Sequence, residues 1–304
     1  MSVDLSSGIG TGTPTSRGAS PSPATGEPSR RAARPGAGVR RAVEVVWPKL
    51  LAVLLVVALW QAIYASGWKP DYRFASPADT VERLWFVMSG NGPFNFWMGV
   101  QNTIMRGIQG FALSLVIGTI LGIAVSQWRV LRNAIGAMIT GLQTMPSIVW
   151  FPFAILLFGL DSSAIYFVVL MGAIPSIANG IINGIDDVPP SYLRAGHMLG
   201  ARGWRRYRFV VIPAALPAYV AGLSQGWAFA WRGLLAGEII VSIPEVPALG
   251  TQLNQAAVNG QSANLLALMI VVLVIGMLAS FVFSSIGQRV RARRGLTGFT
   301  AGGG

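Results

Sequence analysis

The chain has 304 residues, of which 53% are hydrophobic and only 11% are charged, and its mean hydropathy is +0.56. Because soluble domains are about 25% charged, this composition excludes an ordinary soluble globular protein and indicates a membrane protein. The absence of cysteine excludes disulfides, thiolate metal sites and a cysteine nucleophile. The net charge of +12 would suit nucleic acid, but the basic residues gather at the ends of apolar runs, so we expect no nucleic-acid partner.

The first 42 residues are rich in Ser, Thr, Pro, Gly, Ala and Arg and carry almost no large apolar side chain. Such a segment cannot build a core, so residues 1–42 are predicted to be a disordered cytoplasmic tail. A cleavable signal peptide is not expected, because the first apolar run begins only near Val43 and is long enough to span a membrane. Residues 43–294 are predicted to form a transmembrane domain, followed by a short disordered tail over residues 295–304.

Six stretches are apolar over the roughly 20 residues that a helix needs to cross a membrane. They are Leu50–Trp68, Gly107–Trp128, Ile135–Leu160, Ser162–Ile185, Phe209–Trp231 and Ala263–Gln288. Between the first two, SPADTVERLWFVM has a possible cap, a proline and early acids, followed by Trp85 and Phe86. This pattern predicts a short helix lying at the membrane interface.

The basic residues orient these spans. Four clusters fall on one side of a six-span chain: Arg30, Arg31, Arg34, Arg40, Arg41 and Lys49; Arg129 and Arg132; Arg194, Arg202, Arg205, Arg206 and Arg208; and Arg289, Arg291, Arg293 and Arg294. The turn near Asp161 and the loop around Glu245, on the other side, have no Lys or Arg. By the positive-inside rule the fold class is an all-α, six-span membrane protein with both termini in the cytoplasm.

The chain carries no recognisable motif for an energy source or for catalysis. Its two lysines, Lys49 and Lys69, lie in no phosphate-binding loop, and neither HExxH nor GxSxG occurs. Only Arg232 and Glu238 are identified as ionisable residues within a span, which is few for an ion-coupled carrier. We therefore expect a non-catalytic pore subunit driven by a separate protein. An ATP-independent secondary carrier or channel and a membrane scaffold subunit are the alternatives.

The loop at about 186–210, between the fourth and fifth spans, is predicted to be a rigid contact surface. SYLRAGHMLG is typical of a helix that ends at Gly200, and RGWRRYRFVV of a second helix that continues into the membrane. Trp204 and Tyr207 would be the large contact residues of this helix-turn-helix. A basic loop can also serve only to set topology, and we expect the lone His197 to be a packing or contact residue.

YLRAGHMLGARGWRRYRFVVIPAALP resembles the EAA loop of ABC-importer permeases, whose pattern is Glu-Ala-Ala, three residues, Gly, nine residues, then Ile-x-Leu-Pro. Gly200 falls on the glycine of the pattern, but Arg194, Ala195 and Gly196 replace Glu-Ala-Ala, so a base stands where the family has an acid. GLQTMPSIVWFPFAILLFGL, AIPSIANGIINGIDDVPP, GLSQGWAFAWRGLLAGEII and RARRGL are also similar to permeases of the nitrate/sulfonate/bicarbonate (taurine) type.

This resemblance implies a type I ABC-importer permease in a bacterial inner membrane. The implied partners are a second permease copy, two ATPase subunits below, an extracytoplasmic substrate-binding protein above and membrane lipid. No cofactor or metal is expected in this chain, because ATP and Mg would bind the ATPase subunits. In the family this loop docks into the ATPase, and the implied coupling residues are Arg194, Ala195, Gly196, Leu199, Gly200, Trp204, Arg205 and Tyr207.

Arg232 is the leading candidate for a substrate contact. A charge left unpaired at the centre of a bilayer costs about 2.5–3.5 kcal/mol, so Arg232 should face the dimer interior or pair with Glu238. The two residues lie about 120° apart on an ideal helix, and Gly233 and Gly237 could bend the helix to bring them together. One hypothesis is a structural ion pair; the other is that Arg232 attracts an anionic solute.

Further candidates for the path are polar or aromatic residues near bends and span ends. Gln143, Thr144 and Ser147 flank Pro146, and Ser176 and Asn179 follow Pro175; Trp227 and Trp231 precede Arg232. They could line a path or bond to freed carbonyls, to other helices or to the interface. We expect a small anionic substrate: aliphatic sulfonates or taurine first, then nitrate, bicarbonate and heterocyclic precursors.

Overall fold

The structure is a computed structural model that describes residues 37–70, 73–92, 95–243 and 246–292, and every regular element within these ranges is helical. The α-helices are α1 (Ala37–Ala65), α2 (Pro77–Met88), α3 (Phe96–Gln127), α4 (Arg129–Thr144), α5 (Phe151–Phe158), α6 (Ser162–Asp186), α7 (Pro190–Met198), α8 (Trp204–Arg206), α9 (Ile212–Ile240), α10 (Leu249–Val258) and α11 (Ser262–Ala292). A 3-10 helix, Ser147–Trp150, precedes α5, and a π-helical turn, Tyr207–Val211, joins α8 to α9. The predicted all-α polytopic class is confirmed.

Residues 1–36 and 293–304 lie outside the described ranges, and with them most of the tails predicted at 1–42 and 295–304. Glu245 also lies outside. Helix α1 begins at Ala37, ahead of the boundary predicted at residue 43. Its first part, up to Leu55, is a compact unit of its own, in which the apolar side chains from Val46 onward are all exposed. The second unit, residues 56–304, holds all the other helices.

Five helical runs in the described ranges are long and apolar enough to cross a membrane: Val46–Ala65, Phe96–Gln127, Ser162–Asp186, Trp204–Ile240 and Ser262–Val290. The third predicted span, Ile135–Leu160, is not one straight helix. It is broken into two helical pieces, Val130–Thr144 and Ser147–Phe158, which bend by 104° and make a sixth span only if they count as one. The break follows from Pro146, whose ring disfavours helical geometry at the preceding residue, and Met145 accordingly has ψ 127°.

Helix α3 begins at Phe96, eleven residues before Gly107, the predicted start of the second span. The predicted span bounds leave Arg106 in the loop that ends before Gly107, but Arg106 lies inside α3, and only 8% of its surface is exposed. The assignment of Arg106 to a loop was wrong because a single charge at the edge of an apolar run does not end a helix. A charge at this depth needs a partner.

Helices α3, α6 and α9 pack together through small residues, and this packing forms the centre of the second unit. A Cβ atom added to Gly180 of α6 would lie 2.8 Å from the Cα of Gly222 on α9. Likewise, a Cβ on Gly118 of α3 would lie 2.9 Å from the Cβ of Ile177. Such close approach of backbones is typical of membrane helices, which gain most of their association energy from tight packing.

Side-chain caps fix the first residues of helices α2 and α6. Ser76 accepts a hydrogen bond from the backbone N–H of Asp79 at 3.0 Å, and Asp79 Oδ2 accepts one from the backbone of Ser76, so the predicted short helix starts as α2 with a complete capping box. Asp161 caps α6 by accepting hydrogen bonds from the backbone and hydroxyl of Ser163, and these bonds lower the pKa of the Asp161 carboxyl.

Candidate functional site

The loop 186–210 folds into a helix-turn-helix, as its sequence predicts. Helix α7 ends in a Schellman motif: the N–H of Ala201 donates to Gly196 O at 2.9 Å, and that of Gly200 to His197 O at 3.0 Å. Gly200 has a φ of +78°, a conformation that residues with a Cβ rarely adopt. After a second positive-φ glycine, Gly203, the chain enters α8 and runs without interruption through the π turn into α9. Below, Pro190–Val211 is called the elbow.

The elbow is held rigid from inside. A Cβ on Gly196 would come within 2.7 Å of Val210 Cγ2, so only glycine lets α7 pack this closely on the second arm. Half-buried Tyr207 donates to Gln127 Oε1 at the end of α3, at 3.4 Å. The other coupling candidates, Arg194, Ala195, Leu199, Trp204 and Arg205, are exposed. The elbow therefore presents a fixed surface in which the glycines and Tyr207 are internal supports.

Arg232 lies on α9 and lines an open groove of about 800 Å³. The rest of the wall is largely apolar and comes mainly from α9 and α11, with Trp60 from α1 and Leu253 from α10; its other members are Trp227, Ala228, Trp231, Leu235, Leu266, Met269, Ile270, Val272, Leu273, Gly276, Met277 and Ser280. The Arg232 guanidinium lies over the ring of Phe229, with its carbon 5.6 Å from the ring centroid. Arg232 is exposed to this groove and has no carboxylate partner among the described residues.

Trp227 and Trp231 form a stacked pair beside Arg232. Their ring centroids are 6.3 Å apart at an interplanar angle of 16°, and Phe111 and Phe283 pack against Trp227. The indole N–H of Trp227 is buried without a hydrogen-bond partner. The two tryptophans are therefore placed as groove walls by aromatic packing, with one donor still unused.

The polar candidates of the third and fourth spans form a separate cluster between α4 and α6. Gln143 Nε2 donates to Ser176 Oγ at 3.1 Å, and Asn179 Nδ2 donates to Gln143 Oε1 at 2.8 Å. Thr140, which was not predicted, lies 3.5 Å from Asn179. In this state the three predicted side chains satisfy one another across two helices, as polar residues often do in membranes.

Thr144 and Ser147 stand on either side of the break in the third span. The Thr144 hydroxyl donates back to Gly141 O at 2.7 Å, so Thr144 bonds to its own helix. Ser147 is half-buried, and its hydroxyl lies 3.5 Å from the position of a Cβ on Gly233. The break thus contacts α9 next to Arg232. The hydrogen bonds of the Gln143 cluster all run between α4 and α6, so among the described residues the predicted path side chains fall into two groups.

Glu238 pairs with Arg106 and not with Arg232, so the suggested Arg232–Glu238 ion pair is absent. Its carboxylate is fully buried, and its two oxygens have different partners. Oε1 lies 3.4 Å from Arg106 Nη1, while Oε2 accepts from the Thr103 hydroxyl at 2.8 Å and from the Gly250 N–H at 3.1 Å. The reason is geometric, because Glu238 faces α3 and α10 whereas Arg232 faces the groove.

This buried cluster also caps α10 from outside. Ala248 at its amino end supplies no side-chain cap, and the free N–H groups of Leu249 and Gly250 are taken by Thr103 Oγ1 and Glu238 Oε2. A Cβ on Gly250 would lie 2.4 Å from the Cβ of Glu238, so glycine is required for this approach. Thr103 and Arg106 were missed in the sequence, although they lie three residues apart and so on one face of α3.

A second, exposed ion pair ties the root of the elbow to the third span. Arg132 in the first turn of α4 pairs with Asp186, the last residue of α6. Both side chains are more than a third exposed. Within the ranges described above, no three His, Cys, Asp or Glu side chains come close enough to hold a metal ion.

Comparison with known families gives a match that covers most of the second unit. Residues 96–295 match the family model described as binding-protein-dependent transport system inner membrane component. The matched range runs from the first residue of α3 past the end of α11, so it includes the polar cluster, the Glu238 cluster, the elbow and all of the groove except Trp60. It is about two thirds of the chain.

Curated relatives share this range. The chain is 26% identical over 206 residues to the riboflavin transport system permease RibX of Chloroflexus aurantiacus, covering 66% of this chain and 75% of the relative. It is 26% identical over 212 residues to the bicarbonate transport system permease CmpB of Synechococcus elongatus, covering 67% and 75%. It is 27% identical over 222 residues to the nitrate import permease NrtB of the same species, covering 68% and 78%.

A solved structure shares the fold. The inward-facing MetNI methionine ABC transporter superposes with a TM-score of 0.53 at 21% identity, covering 64% of this chain and 96% of the matched chain. At this identity the likeness concerns the fold alone.

Proposed function

The chain belongs to the family of binding-protein-dependent transport system inner membrane components, and from this premise we propose that it forms the path for a small anionic solute through an ABC importer by alternating access. As a permease subunit it is not catalytic, and the ATPase is a separate chain. We propose two ATPase subunits, a second copy of this chain and an extracytoplasmic binding protein as its partners.

The charge distribution supports one orientation. Counting spans along the chain puts the exposed arginines of the elbow, such as Arg205, on the same side of the membrane as Arg289 near the end of α11. The segments that join α5 to α6 and α9 to α10 fall on the other side and carry no Lys or Arg. Positive charge is retained on the cytoplasmic side. We therefore propose that both termini and the elbow lie in the cytoplasm of a bacterial cell, where the elbow can meet the ATPase.

The proposal that the solute is an anion rests on Arg232. It is exposed on a helix of the membrane domain, in an apolar groove, and it has no carboxylate partner among the described residues. An unpaired cation at such a position costs about 2.5–3.5 kcal/mol near the bilayer centre, which an arriving anion would offset. Because Glu238 is neutralised by Arg106, it does not compete for that role.

The substrates named for two of the relatives agree with an anionic class. Bicarbonate and nitrate, named for two relatives, are oxyanions that a guanidinium can bind through paired hydrogen bonds. Aliphatic sulfonates and taurine present the same kind of oxygen-bearing head with a small apolar part. Such a solute suits a groove with one cation and an apolar wall.

A heterocyclic solute is the second candidate. Three tryptophans, Trp60, Trp227 and Trp231, line the groove, and one relative is a riboflavin permease. Flat aromatic solutes stack on indole rings such as these. For such a solute the tryptophans, rather than Arg232, would determine uptake.

Uptake in proteoliposomes distinguishes the two candidates. The complex with its ATPase and binding protein is supplied with nitrate, taurine or riboflavin, each radiolabelled, and Arg232→Gln is compared with Trp231→Ala. We expect Arg232→Gln to abolish uptake of the anion that the wild type carries. Arg289→Gln, which removes an exposed arginine near the end of α11, is the matched control and should transport normally. Unchanged anion uptake by a folded Arg232→Gln complex would contradict the anion role.

A further inference from the structure

The elbow exposes both charge and apolar surface that nothing in the described part of the chain covers. Five arginines, Arg194, Arg202, Arg205, Arg206 and Arg208, are all exposed, and none has an ion-pair partner among the described residues. Residues 188–211 contain no Asp or Glu. The elbow is therefore uniformly basic.

Three large apolar side chains of the elbow are strongly exposed. Leu199 is 87% exposed, Met198 82% and Trp204 72%, and all three lie at the turn between the two arms. Setting the topology of a membrane protein requires basic residues but no exposed Leu, Met or Trp. Large exposed apolar residues with a charged rim are typical of a protein–protein interface.

Rigidity favours a shaped partner over a lipid surface. The Schellman bonds at Gly200, the close packing of Gly196 on Val210 and the Tyr207–Gln127 hydrogen bond fix the turn before any partner arrives. A membrane-surface helix instead needs a long apolar face, whereas α7 has only nine residues, with Tyr192 exposed near its start and Met198 at its end. A preorganised projection loses little entropy when it enters a matching cavity.

We propose that the surface receiving the elbow, on the ATPase of the proposed importer, is an acidic groove: an apolar floor for Leu199 and Trp204 surrounded by carboxylates for the arginines. This inference depends on the proposed function, because it assigns a chemistry to the partner named there. Arg194, which is exposed and has no ion-pair partner among the described residues, would meet the same carboxylates. The carboxylates accelerate docking and align the elbow, and the apolar floor provides most of the affinity.

Salt titration of ATPase binding tests the charge. The detergent-purified chain is immobilised, and the dissociation constant of its ATPase is measured between 50 mM and 1 M NaCl. We expect binding to weaken steadily as salt rises, because exposed charge pairs are screened. The double variant Arg205→Gln/Arg206→Gln should bind about 1.4- to 5-fold more weakly for each charge removed and show a shallower salt dependence. Arg289→Gln is the matched control and should behave as the wild type.

A second variant separates this inference from the proposed coupling. Trp204→Ala should weaken ATPase binding and uncouple hydrolysis from uptake while keeping the wild-type salt dependence, because only the apolar part is lost. If Trp204→Ala uncouples but neither salt nor the arginine variants change binding, the acidic groove is wrong and the coupling role stands. If none of the variants affects ATPase binding or coupling, both proposals are wrong.

Vesicle binding checks the lipid alternative. The natural chain has no cysteine, so a fluorophore can be attached specifically to the variant Leu199→Cys. It reports insertion into vesicles of phosphatidylglycerol or phosphatidylcholine. We expect no spectral shift with either vesicle and a shift on adding the ATPase. A shift with phosphatidylglycerol that the ATPase does not reverse would overturn the proposal, because the arginines would then serve lipid headgroups.

Discussion

At the scale of single residues, two ion pairs of the same chemistry differ in their effect on the free energy of unfolding, because their burial differs. Arg132 and Asp186 are both more than a third exposed, and exposed pairs contribute about 0–1 kcal/mol. Glu238 is fully buried and Arg106 nearly so, and breaking a buried pair costs about 3–5 kcal/mol because one charge is left without a partner. Removing one partner of the buried pair, which joins α3 to α9, is therefore expected to cost more than removing one partner of the exposed pair.

Glu238→Gln tests the buried pair with little change in shape. The amide oxygen can replace Oε2 and keep the bonds from Thr103 and Gly250, while the amide nitrogen would face Arg106 in place of Oε1. We expect the free energy of unfolding in detergent to fall by about 3–5 kcal/mol.

The double variant Arg106→Met/Glu238→Gln is the control. It should recover much of the loss because no buried charge remains, whereas Asp186→Asn should cost less than about 1 kcal/mol. If the double variant is as unstable as the sum of the two single variants, the pair carries no coupling and the Glu238 cluster owes its stability to packing.

At the scale of elements, tight helix packing depends on glycines that could not be distinguished in the sequence. The chain has 37 glycines, and neither composition nor spacing tells which of them touch another backbone. Gly222 lies against Gly180, whereas a Cβ at Gly141 would meet nothing within 4 Å. The two positions therefore predict opposite responses to a larger side chain.

We expect Gly222→Val to destabilise the protein by about 1–3 kcal/mol or prevent folding, because the side chain forces α6 and α9 apart. Gly141→Ala, the control, removes a flexible glycine from an exposed helix position and should stabilise by about 0.5–1 kcal/mol. Thermal unfolding followed by size-exclusion chromatography in detergent measures both. Equal melting temperatures for wild type and Gly222→Val would contradict the close α6–α9 contact.

Most elements were predictable, and the exceptions have identifiable causes. Apolar length predicted six spans, five of which are single helical runs in the described residues, and glycine register predicted the elbow with its turn at Gly200, because each depends on local sequence. The sequence did not predict the 104° angle of the break at Pro146, because a proline permits a bend whose angle depends on neighbouring helices. The partner of Glu238 was missed because Arg106 is 132 residues away in sequence.

At the scale of the whole molecule, the groove, the Glu238 cluster and the elbow all attach to one continuous helical run, Trp204–Ile240. Its first turns form the second arm of the elbow, its later turns carry Arg232, and Glu238 near its end caps α10. Movement of the elbow by an ATPase would therefore act directly on the helix that lines the groove. A secondary carrier, a channel or a scaffold would not need a rigid exposed elbow on this helix.

Site-specific photo-cross-linking from Leu199 tests this coupling most directly. The natural chain has no cysteine, so a benzophenone can be attached specifically to the cysteine of the variant Leu199→Cys. The intact complex is then illuminated in proteoliposomes with and without ATP. We expect an adduct with the ATPase subunit whose yield changes with ATP, together with loss of solute uptake once the adduct has formed. Illumination that yields only lipid adducts, or an ATPase adduct with undiminished uptake, would contradict a permease driven through its elbow.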